Sequence, residues 1–195
     1  MRTPWRHATA ARQLRDYLAR LDPGWRGRVE PVLQTVAGTE PVTAYWLRTT
    51  TLDDESAGPA GTLDLVVVTG RVLAHLQFLA MPREGRWSLA TRTRTWPLAE
   101  IGAVSTETLP SGPGGQDGLL VEVSHAGAGL ELEWAPADPA PGGAGGLGNA
   151  VPAKMRIVVE PAEREDPEPD RRRQRVELAL LVAVAAAVHR GLALA

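Results

Sequence analysis

Hydrophobic and polar positions along the chain follow two periods. In residues 8–21, Ala11, Leu14, Leu18 and Leu21 recur at spacings of three and four, which predicts an amphipathic helix. Arg12, Asp16 and Arg20 form the opposite stripe, four residues apart, as ion-paired helix faces require. Asp22-Pro23-Gly24 then ends the helix. A second short helix is expected over residues 28–36, with Pro31 in its first turn, where a missing N–H costs little.

From Pro41 the period becomes two. Eight strands are predicted, over 43–52, 62–69, 72–80, 86–95, 101–109, 118–125, 129–135 and 154–160. Leu119, Val121 and Val123 alternate with Leu120, Glu122 and Ser124; Leu130, Leu132 and Trp134 alternate with Glu131 and Glu133. Met155, Ile157 and Val159 repeat the pattern. One buried and one wet face marks antiparallel sheet. Short connections such as Thr69-Gly70-Arg71 and Arg83-Glu84-Gly85 favour a meander over βαβ crossovers.

Two stretches read as linkers: residues 135–153, low in complexity, and residues 160–170, acidic and proline-punctuated. A long C-terminal helix should follow, from about Asp166 to His189 or Arg190, before Gly191. Asp166, Glu168 and Asp170 suit the positive end of its dipole. Val176, Leu180, Val184 and Val188 form one stripe, which Leu178, Leu181 and Val182 broaden. Such a helix needs more than one neighbour: the sheet on one side, and the N-terminal helix or a second copy of the chain on the other. The fold class is therefore α+β and mainly β. A helical segment over 1–40 precedes a β domain over 41–195 that contains the loop 135–153.

The 195 residues suit one such domain. With no cysteine, disulfides, thiolate metal sites and a cysteine nucleophile are excluded. The net charge of −2 conceals an asymmetry: residues 1–50 carry eight arginines against four acids, and residues 51–153 five against twelve. Residues 154–195 carry eight basic groups against seven acids. An acidic middle cannot supply the concentrated positive face that nucleic acid requires. Met1 to Leu21 has no apolar core of a secretory signal, and the charge-free run Leu178 to Val188 is shorter than the about 20 residues a membrane span needs. The expected location is the cytoplasm.

Candidate chemistry is sparse. Gly143 to Gly148 spells G-x-G-x-x-G, but prolines precede it and no helix starts at it, so a linker is the better reading than a phosphate cradle. His7, His75, His125 and His189 show no metal-ligand spacing, and Ser124 and His125 point to opposite strand faces. His75 is expected to be a hydrogen-bonded or half-exposed side chain. Glu122, Glu131 and Glu133 read as one solvated strand face, and Asp64 is a polar residue in an apolar strand. Arg92 and Arg94 share a strand face opposite Thr91, Thr93 and Thr95. They are expected to pair with glutamates across strands, or else to hold a small anion. Arg171, Arg172, Arg173 and Arg175 form the densest basic cluster, at a helix start that six acids precede. These six arginines are the candidate contacts for a partner or an anion. No catalytic residue, metal ligand or cofactor is implied. Each of the six tryptophans is expected in the core, with Trp5 and Trp25 clamping the N-terminal helices.

Residues 62–160 resemble bacterial pleckstrin-homology-like (PH-like) domains. The likeness rests on the hairpin Leu65-Val66-Val67-Val68-Thr69-Gly70-Arg71-Val72-Leu73 and on the segment Trp96-Pro97-Leu98-Ala99-Glu100-Ile101-Gly102-Ala103-Val104. The closing order of two strands and a long helix adds to it. The resemblance implies a bent antiparallel sheet or barrel capped by that helix. Phosphoinositide binders of this fold carry basic residues in their first inter-strand loop. Here Asp53-Asp54-Glu55-Ser56-Ala57-Gly58 is acidic and would repel such a head group.

The expectation is a non-enzymatic intracellular interaction module. Its protein or peptide partner would bind at a sheet edge or in the groove beside the C-terminal helix, and a homodimer is compatible with the apolar helix faces. One alternative is a helix-grip-type protein holding a small apolar ligand in a cavity lined by Trp46, Trp87 or Trp134. Another is a peripheral membrane adaptor using Arg171 to Arg175 and the N-terminal arginines.

Overall fold

The helical period at the N-terminus produces α1 (Thr9–Leu18) and α2 (Pro23–Ala37). A computed structural model describes residues 9–20, 23–54, 58–83, 86–125, 129–134, 148–151 and 154–194. Ala11, Leu14 and Leu18 are buried on α1, and Val29, Leu33 and Ala37 on α2. α2 begins five residues earlier than the sequence pattern predicts, so Pro31 lies in its interior, not its first turn. The Gly27 carbonyl, which loses its helical donor there, is on an exposed residue where water can serve it. Gly38, at φ 56°, closes α2 with its N–H on the Gln34 carbonyl at 2.8 Å.

All eight expected strands form: β1 (Ala44–Asp54), β2 (Gly58–Val68), β3 (Val72–Arg83), β4 (Arg86–Pro97), β5 (Ile101–Leu109), β6 (Gly118–His125), β7 (Gly129–Trp134) and β9 (Lys154–Val159). A ninth, β8 (Gly148–Val151), lies inside the stretch expected to be linker throughout. It pairs with β7, and that hairpin extends the first sheet. Residues 135–147 and 152–153 of that stretch lie outside the described residues.

The strands make two antiparallel sheets, one ordered β1-β2-β3-β4-β7-β8 and the other β5-β6-β9. Among the described residues these do not close into a barrel; a bent pair of sheets is the observed form. α1 and α2 cover one face of the larger sheet, packing on Tyr45, Leu47, Leu63, Leu65, Val67, Leu76 and Phe78. The other face carries Trp46, Val66, Val68, Leu73 and Trp96 and packs on the smaller sheet and the C-terminal helix, α3 (Glu168–Leu194). β2 is therefore buried on both faces, which is why Leu63 to Val68 shows so little alternation. Trp46 and Trp96 are core residues, as expected. The side chains of Trp5, Trp25, Trp87 and Trp134 lie outside the described residues.

α3 starts at Glu168 and runs through Gly191 to Leu194, so that glycine is no stop signal. A Cβ on Gly191 would stand 3.0 Å from Leu98 Cδ1, so glycine there permits the helix to approach the β4–β5 connection. Leu181, Val184, Ala185, Ala187 and Val188 face the core, while Val176 and Val182 stay exposed.

Candidate functional site

β1 is an edge strand, and α3 lies along it. The alternation of β1 sends Tyr45, Leu47 and Thr49 to the face that α1 also covers. α1 ends before it covers all of them, and α3 stands beside them. The result is a groove of about 560 Å³ floored by Tyr45, Leu47 and Leu180 and walled by Tyr17, Pro169 and Val176. Glu168, Arg172, Arg173 and Glu177 line it as well. Tyr17 is 37% exposed and Val176 52% exposed, so two large apolar side chains meet solvent here. Burial pushes the Tyr45 hydroxyl above its ordinary value, and the nearby Tyr17 and Asp16 push it in the same direction.

The groove wall is tied down by charge. Glu177, only 7% exposed, accepts from Arg48 Nε at 2.8 Å and from Arg173 Nε at 3.1 Å. Arg48 Nη2 also donates to the Val158 carbonyl of β9 at 2.8 Å. Its guanidinium lies 5.1 Å from the centre of the Trp46 ring, within cation–π range. Arg173 Nη2 donates to the Thr49 carbonyl on β1. Gln174, also buried, places its amide nitrogen on the carbonyls of Gln116, Asp117 and Glu160 at 3.0–3.3 Å. The first two turns of α3 thus fasten both sheets.

The basic cluster at this helix start does not form one face, because consecutive helix positions point in different directions. Arg171 and Arg175 turn to Glu168, at 2.9 and 2.5 Å, while Arg173 turns to Glu177 and Thr49. The Arg175 hydrogen bond, aided by the charges of Arg175, Arg171 and Arg172, holds the Glu168 carboxyl below its ordinary value. Arg172 and Arg173 line the groove; Arg171 and Arg175 do not.

Arg92 and Arg94 stand elsewhere, on the face of β4 opposite the buried Thr91 and Thr93. In the ladder they are the Cα partners of Glu133 and Glu131 of β7, the cross-strand pairing the sequence suggested. Two strands separate them from β1, and they lie on the opposite face from the groove, so the six arginines form no single site.

In the same sheet, Asp64 of β2 takes hydrogen bonds from Gln77 at 2.9 Å and from His75 at 3.3 Å, both on β3. His75 is half-buried and hydrogen-bonded, as expected. Burial alone would raise the Asp64 pKa, but the two hydrogen bonds and the charges of His75 and Arg48 outweigh it and hold the carboxyl below its ordinary value. The three glutamates expected on one face are divided between sheets: Glu122 is on β6, Glu131 and Glu133 on β7. Glu122 pairs with Lys154 at 2.9 Å and stands 3.6 Å from Arg156. His125, buried, lies 3.3 Å from a carboxylate oxygen of Glu100.

Among the described residues, no group of three or more His, Asp or Glu side chains is placed to hold a metal. The last glycine of the G-x-G-x-x-G stretch, Gly148, opens strand β8 and not a helix, which removes the geometry of a phosphate cradle. The other residues of that stretch, 143–147, lie outside the described ones, as do Glu55 to Ala57 of the acidic loop. Counted over its full length and not only Leu178 to Val188, α3 is long and apolar enough to cross a membrane by length and composition, although its core-facing side is buried between the sheets.

Sequence reasoning pointed to the groove beside the C-terminal helix as a surface but missed Tyr17, Tyr45 and Glu177. Glu177 carried a signal: an acid between Val176 and Leu178 inside an apolar run is either exposed or paired, and here it is paired twice. Comparisons with protein-family models, with curated proteins and with solved structures gave no match, so the geometry alone carries the functional reading.

Proposed function

We propose that this chain is a non-enzymatic, cytoplasmic protein-interaction module on a PH-like scaffold, and that it takes an apolar segment of a protein partner into the groove between α1 and α3. The observation that carries this reading is the groove itself, with its apolar floor and exposed Tyr17 and Val176. Exposed apolar side chains gathered in a concave site with charged residues around them favour recognition over mere solvation. Arg172 favours a partner segment with an acidic residue next to its apolar anchors.

The scaffold reading is supported by strand order. Without the β7–β8 hairpin, the sheets have four strands (β1 to β4) and three (β5, β6, β9), followed directly by the long helix. The alternative of an internal ligand cavity is less favoured. Trp46 is packed in the core at 4% exposure, and the groove opens at the sheet edge, not between the sheets.

The test is affinity isolation from the native cell, followed by reconstitution with the purified partner. Val176→Arg should abolish binding at unchanged thermal stability, because Val176 is exposed. Arg92→Ala, on the far face, should leave binding intact. A partner that binds Val176→Arg as well as the wild type would overturn the assignment. A small molecule carried through purification by wild type and lost from Val176→Arg would replace the partner reading with the ligand reading.

A further inference from the structure

Four arginines lie in the first two turns of α3, and three of them are engaged within the chain. Arg171 and Arg175 hold Glu168, and Arg173 holds Glu177 and the Thr49 carbonyl. Arg172 is exposed and lines the groove, yet among the described residues it makes no hydrogen bond or ion pair. The two acids that line the groove are already taken, Glu168 by Arg171 and Arg175 and Glu177 by Arg48 and Arg173. Among the described lining residues the unmatched charge is therefore positive, and it belongs to Arg172.

Arg172 and Val176 are four positions apart on α3, one turn or about 6 Å along its axis. They share one side of the helix, and both are exposed. Tyr17 lines the same groove from α1. The backbone around the groove leaves little for an extended segment to pair with. β1 is an edge strand, but α3 lies along it and Arg173 occupies the Thr49 carbonyl. The floor is made of side chains, Tyr45, Leu47 and Leu180. A peptide laid on such a floor must satisfy its own N–H and C=O groups, which a helix does and a lone extended strand does not.

We infer that the occupant of the groove is an amphipathic helix of a protein partner, with an apolar anchor against Val176 and Tyr17 and a side-chain carboxylate one turn away on Arg172. This rests on the reading of the groove as the partner site. A carboxylate three or four positions from the anchor matches the spacing of Arg172 and Val176 when the partner helix runs along α3. The guanidinium fork suits it, since arginine can hold both oxygens of one carboxylate.

The test is selection of a displayed library of short helical peptides on the wild-type chain. Leucine is fixed at one position, and the positions three and four residues to either side are randomised. Aspartate or glutamate should dominate one randomised position, and on Arg172→Glu lysine or arginine should take its place. Arg172 and Val176 are exposed, so Arg172→Glu and Val176→Arg should keep the circular dichroism of the wild type. The selected peptide, synthesised, should gain helical circular dichroism on binding. Replacing its acid by alanine should weaken binding to the wild type about two- to fivefold at low salt, and leave binding to Arg172→Ala unchanged. An acid preference that persists on Arg172→Glu, with binding still lost on Val176→Arg, overturns the inference and leaves the groove assignment standing. A bound peptide that stays extended also overturns it. A selection that yields no peptide lost on Val176→Arg removes the groove and the helix together. A wild type that dimerises in sedimentation, with Val176→Arg monomeric, gives the groove to a second copy and overturns the inference as well.

Discussion

Arg48 of β1 and Glu177 of α3 meet at 2.8 Å, and the same guanidinium holds Val158 of β9, so one side chain joins the edges of both sheets to the helix between them. Removing one member of a buried ion pair typically costs about 3–5 kcal/mol. Arg48 keeps 30% side-chain exposure, so Arg48→Ala or Glu177→Ala should cost somewhat less, about 2–3 kcal/mol. A double-mutant cycle in urea should give a coupling above about 1 kcal/mol. Strict additivity of the two losses would show that Arg48 acts through Trp46 and Val158 alone.

Asp64 gives the fold an acid-sensitive component. Its carboxyl is held below the ordinary value of about 4 by Gln77, His75 and Arg48 despite burial. A depressed folded pKa adds stability above the unfolded pKa, and this is lost as pH falls through the folded value. Asp64→Asn should therefore be less stable than wild type at pH 7, and the difference in urea midpoint should shrink below about pH 4. A difference that holds constant from pH 7 to pH 2.5 would mean that packing, not ionisation, is what the substitution disturbs.

The elements were largely legible because most residues need only satisfy a local period. β9 buries alternate residues, and β6 does so from Val121 onward, so Val121 to Ser124 and Lys154 to Val159 announce themselves. β8 did not, because Gly148 to Val151 has no alternating side chains and depends on β7 for its pairing. α2 was foreshortened because Pro31 reads as a start signal, while the burial of Val29, Leu33 and Ala37 carries the helix through it. The groove was harder still. Tyr17, Tyr45 and Val176 come from three elements, and each alone reads as an ordinary amphipathic position. Only the docking of α3 along β1 brings them together.

Gly118 and Gly102 should respond oppositely to alanine. A Cβ on Gly118 would come closer than 3.0 Å to the Val159 carbonyl oxygen, the Pro161 nitrogen and the Glu160 carbonyl carbon, all backbone atoms that cannot rotate away. Gly118→Ala should lower stability by about 1–3 kcal/mol, the usual range for overpacking. At Gly102 the nearest atom is the Ser124 carbonyl oxygen at 3.9 Å. Gly102→Ala should be neutral or raise the melting temperature, since alanine restricts the unfolded chain more than glycine does. Equal losses at both positions in thermal unfolding would contradict the close approach of β6 to the end of β9.

The chain has two tyrosines, and both line the groove, which makes its occupancy measurable without a label. Burial, then Tyr17 and Asp16, raises the Tyr45 hydroxyl above the ordinary value near 10. In a difference-absorbance titration, Tyr45→Phe should remove an ionisation that lies above the ordinary tyrosine value. Asp16→Asn should move that step to lower pH, because a negative charge that opposes phenolate formation has been removed. A partner segment seated on Tyr45 should displace water from it and delay the step further, while Val176→Arg should abolish that delay. If Asp16→Asn leaves that step in place and Val176→Arg leaves the delay intact, the partner contacts another surface.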